Sequence, residues 1–238
     1  MNYKFVKGII DALGVKNVIN VEFAPKKKCN YDCLYCELGK ANNIQNDCGK
    51  FNSVSEIFIE IQTFLLDNPE INFVMLSGCG NYALFSGFSS LVKMIRENLP
   101  ELGIMTYTSA TMLSREEIQK ELTNCNIIGC NLNSVFEDDL HLCCHPSSNH
   151  RLKTTLDNLK LFSNHFTGML IVETEFIRGI NDTEKNIDGL IEYLSDVQPN
   201  VYNVVGNNFQ GRSLSEDFTS LLKNKMNEAP FPVKFHLK

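Results

Sequence analysis

Three thiols within eight positions are the residues of this chain best placed to do chemistry. The stretch KKKCNYDCLYCELGK (26–40) carries Cys29, Cys33 and Cys36 in the spacing Cys-x3-Cys-x2-Cys. That spacing lets three thiolates converge on one centre from a single loop. An iron–sulfur cube takes four ligands, so a three-cysteine loop leaves one iron open to a substrate or cofactor. Other readings use the same residues. A structural zinc site would need a fourth ligand, for which Cys48 is available, but the paired Cys-x2-Cys knuckles of such sites are missing. Disulfides are rare in a reducing compartment, and nine cysteines cannot all pair within one chain. Core packing would seldom place cysteine at three such positions at once.

Composition bounds the rest. The chain has 238 residues, of which 43% are hydrophobic and 21% charged, as in an ordinary folded protein. The length fits one large α/β domain or two small ones. With no linker, repeat or low-complexity segment, a single domain over 1–238 is expected. No stretch approaches the roughly 18 apolar residues of a membrane helix. The start, MNYKFVKGIIDALG, lacks the apolar run and cleavage site of a signal peptide. A cytoplasmic location with no membrane partner follows as the expectation. The formal net charge of −6 argues against a general nucleic-acid binder. Lys26, Lys27 and Lys28 are the local exception, either a solvated loop or a positive rim that attracts an anionic substrate or an acidic electron donor.

Strands and helices alternate along the chain. Strand-like runs occupy 17–25, 71–80, 103–109, 126–134, 168–177, 200–208 and 232–237. Helical apolar spacing occupies 53–69, 88–100, 114–122, 149–165, 183–197 and 214–226, with a further short helix before 149. Ser53 with Glu56 and Ser114 with Glu117 have the spacing of capping boxes. Six strand–helix units with near-continuously apolar strands imply a mainly parallel sheet covered by helices, either doubly wound or an incomplete barrel. In both architectures the active site lies at the carboxyl ends of the strands. The cysteine cluster begins just after the 17–25 strand, at that end.

These features resemble the radical S-adenosylmethionine (radical SAM) enzymes, whose hallmark is Cys-x3-Cys-x-aromatic-Cys. Tyr35 fills the aromatic position. Within that superfamily, INVEFAPKKKCNYDCLYCELGK and VETEFIRGIND (172–182) look most like the iron–sulfur oxidoreductases related to wybutosine-type tRNA-modifying enzymes. The likeness covers roughly residues 15 to 210. It implies a partial (β/α)6 barrel of the TIM type. It also implies that Cys29, Cys33 and Cys36 hold a [4Fe–4S] cluster whose fourth iron is chelated by SAM. Reductive cleavage of SAM would then give methionine and a 5′-deoxyadenosyl radical that abstracts hydrogen from a substrate.

The chain departs from the family pattern in several places. The glycine-rich segment that lines the methionine end of SAM reads SGCGNYAL, so Ser77, Gly78 and Gly80 fit while Asn81 stands in place of an acid. An amide still accepts a hydrogen bond from an ammonium group, but without charge assistance. TSATML places Ser109 and Ala110 where relatives carry Asn and Gly, and Ser109 remains able to reach a SAM carboxylate. Asn131 and Asn133 alternate onto one side of the 126–134 strand, as ribose or substrate contacts or as a satisfied turn. Glu173 and Glu175 share one face of an apolar strand. Carboxylates are seldom buried unpaired, so Glu173 in particular is expected to face a polar cavity. The VVGNN end (204–208) sits where the family contacts adenine.

Of the remaining cysteines, Cys48, Cys125, Cys130, Cys143 and Cys144 read as scattered packing. Cys79, between two glycines, is a candidate hydrogen-atom donor or thiyl radical. CCHP (143–146) is a second candidate for substrate chemistry or metal binding. The five histidines form no close metal-binding pair in the sequence. His141 and His145 stand at i, i+4 but lack the Glu of a zinc-protease helix. The function expected is hydrogen abstraction from a small or medium-sized substrate, with flavodoxin or ferredoxin as the type of electron donor. Modification of tRNA or a peptide is the alternative within the same chemistry, and the acidic balance weighs against tRNA. A cluster-binding protein that no longer cleaves SAM, motivated by Asn81, Ser109 and Ala110, is the alternative outside it, and a zinc-stabilised α/β protein is another.

Overall fold

The computed structural model describes residues 3–23, 29–40, 53–78, 81, 85–147 and 150–237. Eight strands form one sheet in chain order. The chain opens with a hairpin of β1 (Val6–Ala12) and β2 (Val15–Glu22), followed by α1 (Val54–Asp67), β3 (Phe73–Ser77) and α2 (Phe88–Asn98). Next come β4 (Gly103–Ser109), a 3-10 turn at Ala110–Ser114, α3 (Glu116–Leu122) and β5 (Ile127–Asn131). Two helices, α4 (Glu137–Cys144) and α5 (Leu152–His165), precede β6 (Met169–Ile177). The chain ends with α6 (Glu184–Val197), β7 (Val201–Asn207), α7 (Glu216–Asn227) and β8 (Val233–His236).

From β2 to β8 every strand pairs in parallel with the next. Among the described residues β1 and β8 are the two edges of the sheet. The six strand–helix units and the incomplete barrel read from the sequence are therefore present, and the strand ends agree to within three residues over the described positions.

Two local readings are corrected. The sequence pattern indicated no element before residue 17, yet β1 pairs antiparallel with β2. Most of β1 is exposed or half-exposed, and Gly8 at φ 114 breaks its register, so the alternation that marks a strand is weak. Its turn is set by Leu13 and Gly14, at φ 49 and 81. A two-residue hairpin loop of the primed kind needs positive φ at both positions, which Gly14 adopts without a Cβ penalty. The second correction concerns Ser114 and Glu117. The chain spends Ala110–Ser114 in the 3-10 turn, so the helix starts at Glu116 with Arg115 at its N-cap and no side-chain cap. Ser53 does sit at the N-cap of α1, but its side chain makes no capping bond and its hydroxyl meets that of Ser55.

Strand alternation sorts the interior into layers. The helix-facing side carries the large core, with Ile19, Val74, Leu76, Ile104, Ile128, Val172 and Val204 packed against Ile57, Leu91, Ile95, Leu159, Leu190 and Leu222. The concave side is apolar only near the amino ends of the strands, where Val18, Met105, Ile127 and Ile171 pack with Leu13, Met75 and Val201. Further along the strands the same face turns polar, at Asn20, Ser77, Tyr107, Asn131, Glu173 and Asn203. The register sets Asn131 beside Glu173 and Glu173 beside Asn203. Sealed below and polar above, the concave face is built to bind at its carboxyl end.

Gly129 lets one of these polar groups fit. It lies opposite Tyr107 in the β4–β5 register. A Cβ there would come within 2.2 Å of Tyr107 Cδ2 and 3.0 Å of Leu13 Cδ2. The absent side chain is the space in which the Tyr107 ring lies. Gly129→Ala is expected to destabilise the protein by about 1–3 kcal/mol through overpacking. A urea midpoint equal to the wild type would contradict this account of the packing.

Candidate functional site

The loop 29–40 has almost no secondary structure of its own, so its backbone groups need partners elsewhere. They find them on the end of α4. Asp32 N donates to Cys144 O at 3.1 Å and Leu34 N to Cys143 O at 3.0 Å, and Tyr31 forms an antiparallel bridge with Pro146. Inside the loop, Cys36 N donates to Cys33 O and Gly39 N to Cys36 O. Gly39, at φ 73, supplies the left-handed turn that ends it.

Side chains fix the loop from the other side. Asn30, buried to 2% exposure, accepts from Asn81 Nδ2 at 3.1 Å and from Ser109 Oγ at 3.3 Å. Asn81 Nδ2 also donates to Ser109 Oγ at 3.0 Å, and Asn81 Oδ1 accepts from Thr108 Oγ1 at 3.2 Å. Tyr35 OH donates to Asn131 Oδ1 at 3.3 Å and accepts from Asn133 Nδ2. Burial, above all, holds the Tyr31 and Tyr35 phenols well above their usual pKa, so both stay protonated.

Cys29, Cys33 and Cys36 are in no disulfide and are half-buried. All three line a cavity of about 220 Å³ together with Tyr31, Tyr35 and Leu38 from their own loop. Asn81, Tyr107, Thr108, Ser109, Asn131, Glu173 and Glu175 complete its wall from the strand ends. Both glutamates thus face the same cavity. Glu173 Oε1 accepts from Tyr107 OH at 2.6 Å and Oε2 from Asn203 Nδ2 at 3.3 Å, while Glu175 Oε2 accepts from Asn207 Nδ2 at 2.9 Å. Burial first, and then the Glu173 charge, raise the Tyr107 pKa well above its usual value and keep that proton in place.

Other predicted residues lie elsewhere. Asn133 is fully buried and does not line the cavity. Its amide links Tyr35 OH, Cys144 Sγ and the Glu175 backbone N, and its backbone carbonyl accepts from Asn181 and Asn186. It is a brace behind the wall. Ser77 is half-buried and donates to Asn20 Oδ1 at 2.8 Å and Val21 O at 3.1 Å, with Gly78 next to it at the end of β3. Cys79, Gly80, Lys26, Lys27, Lys28 and Cys48 lie outside the described residues.

Cys125 and Cys130 are core thiols pushed up to about 12 by burial. Cys143 and Cys144 are also buried, but beneath the cysteine loop. Cys144 Sγ lies 3.5 Å from Cys143 Sγ, and the bond to Cys143 keeps it a thiol in spite of a hydrogen bond with Cys33. Asn30, Tyr107, Asn203 and Cys144 are the participants that sequence reasoning missed or placed only in passing. Tyr107 alone carried a signal, since it alternates with Ser109 onto the concave face.

The donor set distinguishes between metals. Among the described residues one trio of His, Cys, Asp or Glu donors lies within 4.8 Å of one another, and it is not this one. Thiolates sharing one zinc ion sit about 3.8 Å apart, given Zn–S bonds of about 2.3 Å in a tetrahedron. The three thiols form no such trio, whereas three cysteines on one loop are the donor set of a multi-iron cluster with one iron left open.

Known proteins agree with this geometry. The family model described as the radical SAM superfamily matches residues 25–194. A protein of Brachyspira hyodysenteriae named GTPase Obg is 24% identical over 196 residues, which is 82% of this chain but 29% of that protein. No Gly-x4-Gly-Lys-Ser/Thr phosphate loop occurs in the present sequence. A UPF0026 protein of Methanocaldococcus jannaschii is 26% identical over 184 residues, covering 76% of this chain and 57% of its own. The chain therefore spans less than two thirds of either curated relative. Among solved structures, a radical SAM methyltransferase from Sphaerobacter thermophilus shares the fold, with a TM-score of 0.68 at 13% identity over 92% of this chain and 66% of that one. With the family model covering well over half of its length and the three-cysteine loop seated at the carboxyl end of the sheet, this chain belongs to the radical SAM superfamily of enzymes.

Proposed function

We propose that the protein abstracts a hydrogen atom from a small or medium-sized substrate held over the carboxyl ends of β4 to β7. The supporting observation is that Cys29, Cys33 and Cys36 open onto the same cavity as Ser109, Asn131, Glu173 and Glu175. When bound, a [4Fe–4S] cluster and SAM supply an electron-driven cleavage that yields methionine and a 5′-deoxyadenosyl radical.

The chain's own residues account for binding and shielding. Cys29, Cys33 and Cys36 would hold the cluster through three of its irons and leave the fourth open to SAM. Asn81 and Ser109 present polar groups whose orientation Asn30 and Thr108 fix. Glu173 and Glu175 give the cavity a negative wall, and its described lining holds no Lys or Arg. Such a wall favours a cationic ligand, as the sulfonium and ammonium groups of SAM are. Met105, Ile127 and Ile171 close the barrel below and keep water from the reacting atoms. A one-electron donor protein of the flavodoxin or ferredoxin kind would reach the cluster from outside the loop. The net charge of −6 disfavours tRNA as the substrate.

Anaerobic reconstitution with iron and sulfide should load about four irons per chain, and Cys33→Ala should lose most of them. With dithionite and SAM the loaded protein should release 5′-deoxyadenosine. A loaded cluster without that release would support the non-cleaving alternative. In the loaded protein Glu173→Gln should weaken SAM binding about ten- to a hundredfold, the worth of one charge-assisted contact, with iron content unchanged. Equal affinity in that variant would confine Glu173 to bracing Tyr107.

A further inference from the structure

Three side chains able to ligate a metal gather away from the lining of the cavity. Glu137 and His141 stand at i, i+4 on α4, with Glu137 Oε1 3.1 Å from His141 Nε2. His150, from the segment leading into α5, brings Nδ1 to 3.7 Å from the same oxygen. One donor atom from each of the three lies within 4.8 Å of the other two. Tetrahedral zinc with bonds of about 2.05 Å separates its ligands by about 3.3 Å. Closing from the observed spacing requires small rotations of His141 and Glu137, whose side chains are 49% and 47% exposed.

Two features distinguish this trio from an ordinary surface ion pair. The His150 side chain is 1% exposed, and its Nδ1 has no hydrogen-bond partner. Its other nitrogen, Nε2, lies 3.1 Å from Thr155 Oγ1. With the proton on Nε2 and donated to Thr155, the bare lone pair of Nδ1 points at Glu137 and His141. Metal-binding histidines are oriented in this way, with the second ring nitrogen held by a hydrogen-bond acceptor. Glu137 is held likewise, because its Oε2 accepts from Leu152 N at 3.1 Å and leaves Oε1 for the shared position.

We propose that Glu137, His141 and His150 bind one divalent transition ion, zinc by preference, with a fourth position open to solvent. Two imidazoles and one carboxylate form a recognised zinc donor set. Such an ion would tie α4 to the start of α5. The other end of α4 carries Cys143 and Cys144, whose carbonyls hold the cysteine loop, and the Tyr31 ring meets the His150 ring edge-on at 6.1 Å. The ion would act as a brace for the cluster's binding wall, separate from the iron itself.

Elemental analysis of the cluster-loaded protein, equilibrated with zinc chloride and then freed of excess, tests this. The wild type should hold roughly one zinc per chain besides its iron. His141→Ala, an exposed truncation, should lower zinc affinity at least tenfold with iron content unchanged, and Glu137→Gln should do the same. In a Cys29→Ser, Cys33→Ser, Cys36→Ser chain the zinc should persist, so that loss of the iron centre and loss of this site are scored separately. A wild type that retains no zinc at micromolar concentration would overturn the proposal. So would zinc retained equally by His141→Ala, or lost from the cysteine-free chain alone.

Discussion

The docking of the loop 29–40 onto two separate supports is the constraint from which the rest of the site follows. A loop with three thiols aimed at one cavity cannot satisfy its own backbone, and the barrel mouth beneath it is polar. On one side it leans on the carbonyls of Cys143 and Cys144. On the other, Asn30 joins it to Asn81 and Ser109. Tyr35 then reaches across to Asn131 and Asn133. Each support uses the end of a different strand or helix, so the loop is placed only once the whole sheet has formed.

This arrangement explains why the concave face changes character along its length. Near the amino ends of the strands the face is filled with Val18, Met105, Ile127 and Ile171, which give cohesion and exclude water. At the carboxyl ends, tyrosine, asparagine and glutamate replace them. Carboxylates taken partly out of water need partners, and neutral donors are among them here: Tyr107 and Asn203 for Glu173, Asn207 for Glu175. Around Glu173 these neutral donors satisfy hydrogen-bonding needs without cancelling the charge. The cavity thus keeps a negative wall for a cationic ligand to neutralise.

Much of this was legible in the sequence, for identifiable physical reasons. The strand at 103–109 is buried along nearly its whole length and that at 168–177 opens on the apolar run Met169–Val172, so both were marked within a residue. The cysteine spacing and Tyr35 are local, and local patterns survive in one dimension. Asn30 reaches Asn81 and Ser109 across 51 and 79 positions, and Cys144 meets Cys33 from the far side of the chain, and nothing in their neighbourhoods announces it. The histidines show the same limit. His141 and His145 look paired by spacing, but His145 sits at the C-cap of α4 at φ 41, and His141 meets His150 across a chain reversal instead. The early hairpin escaped notice because an exposed edge strand with a glycine bulge carries little hydrophobic alternation.

The proposed function requires that the three thiols hold a cluster with one iron open to the cavity, where SAM would bind it. The most direct test is the electron paramagnetic resonance spectrum of the reduced, reconstituted protein, recorded with and without SAM. Direct coordination of the open iron predicts that SAM changes the g-values of the cluster signal, and that SAM labelled at its amino or carboxylate group broadens it. A cluster signal that forms normally but is indifferent to saturating SAM would contradict the account.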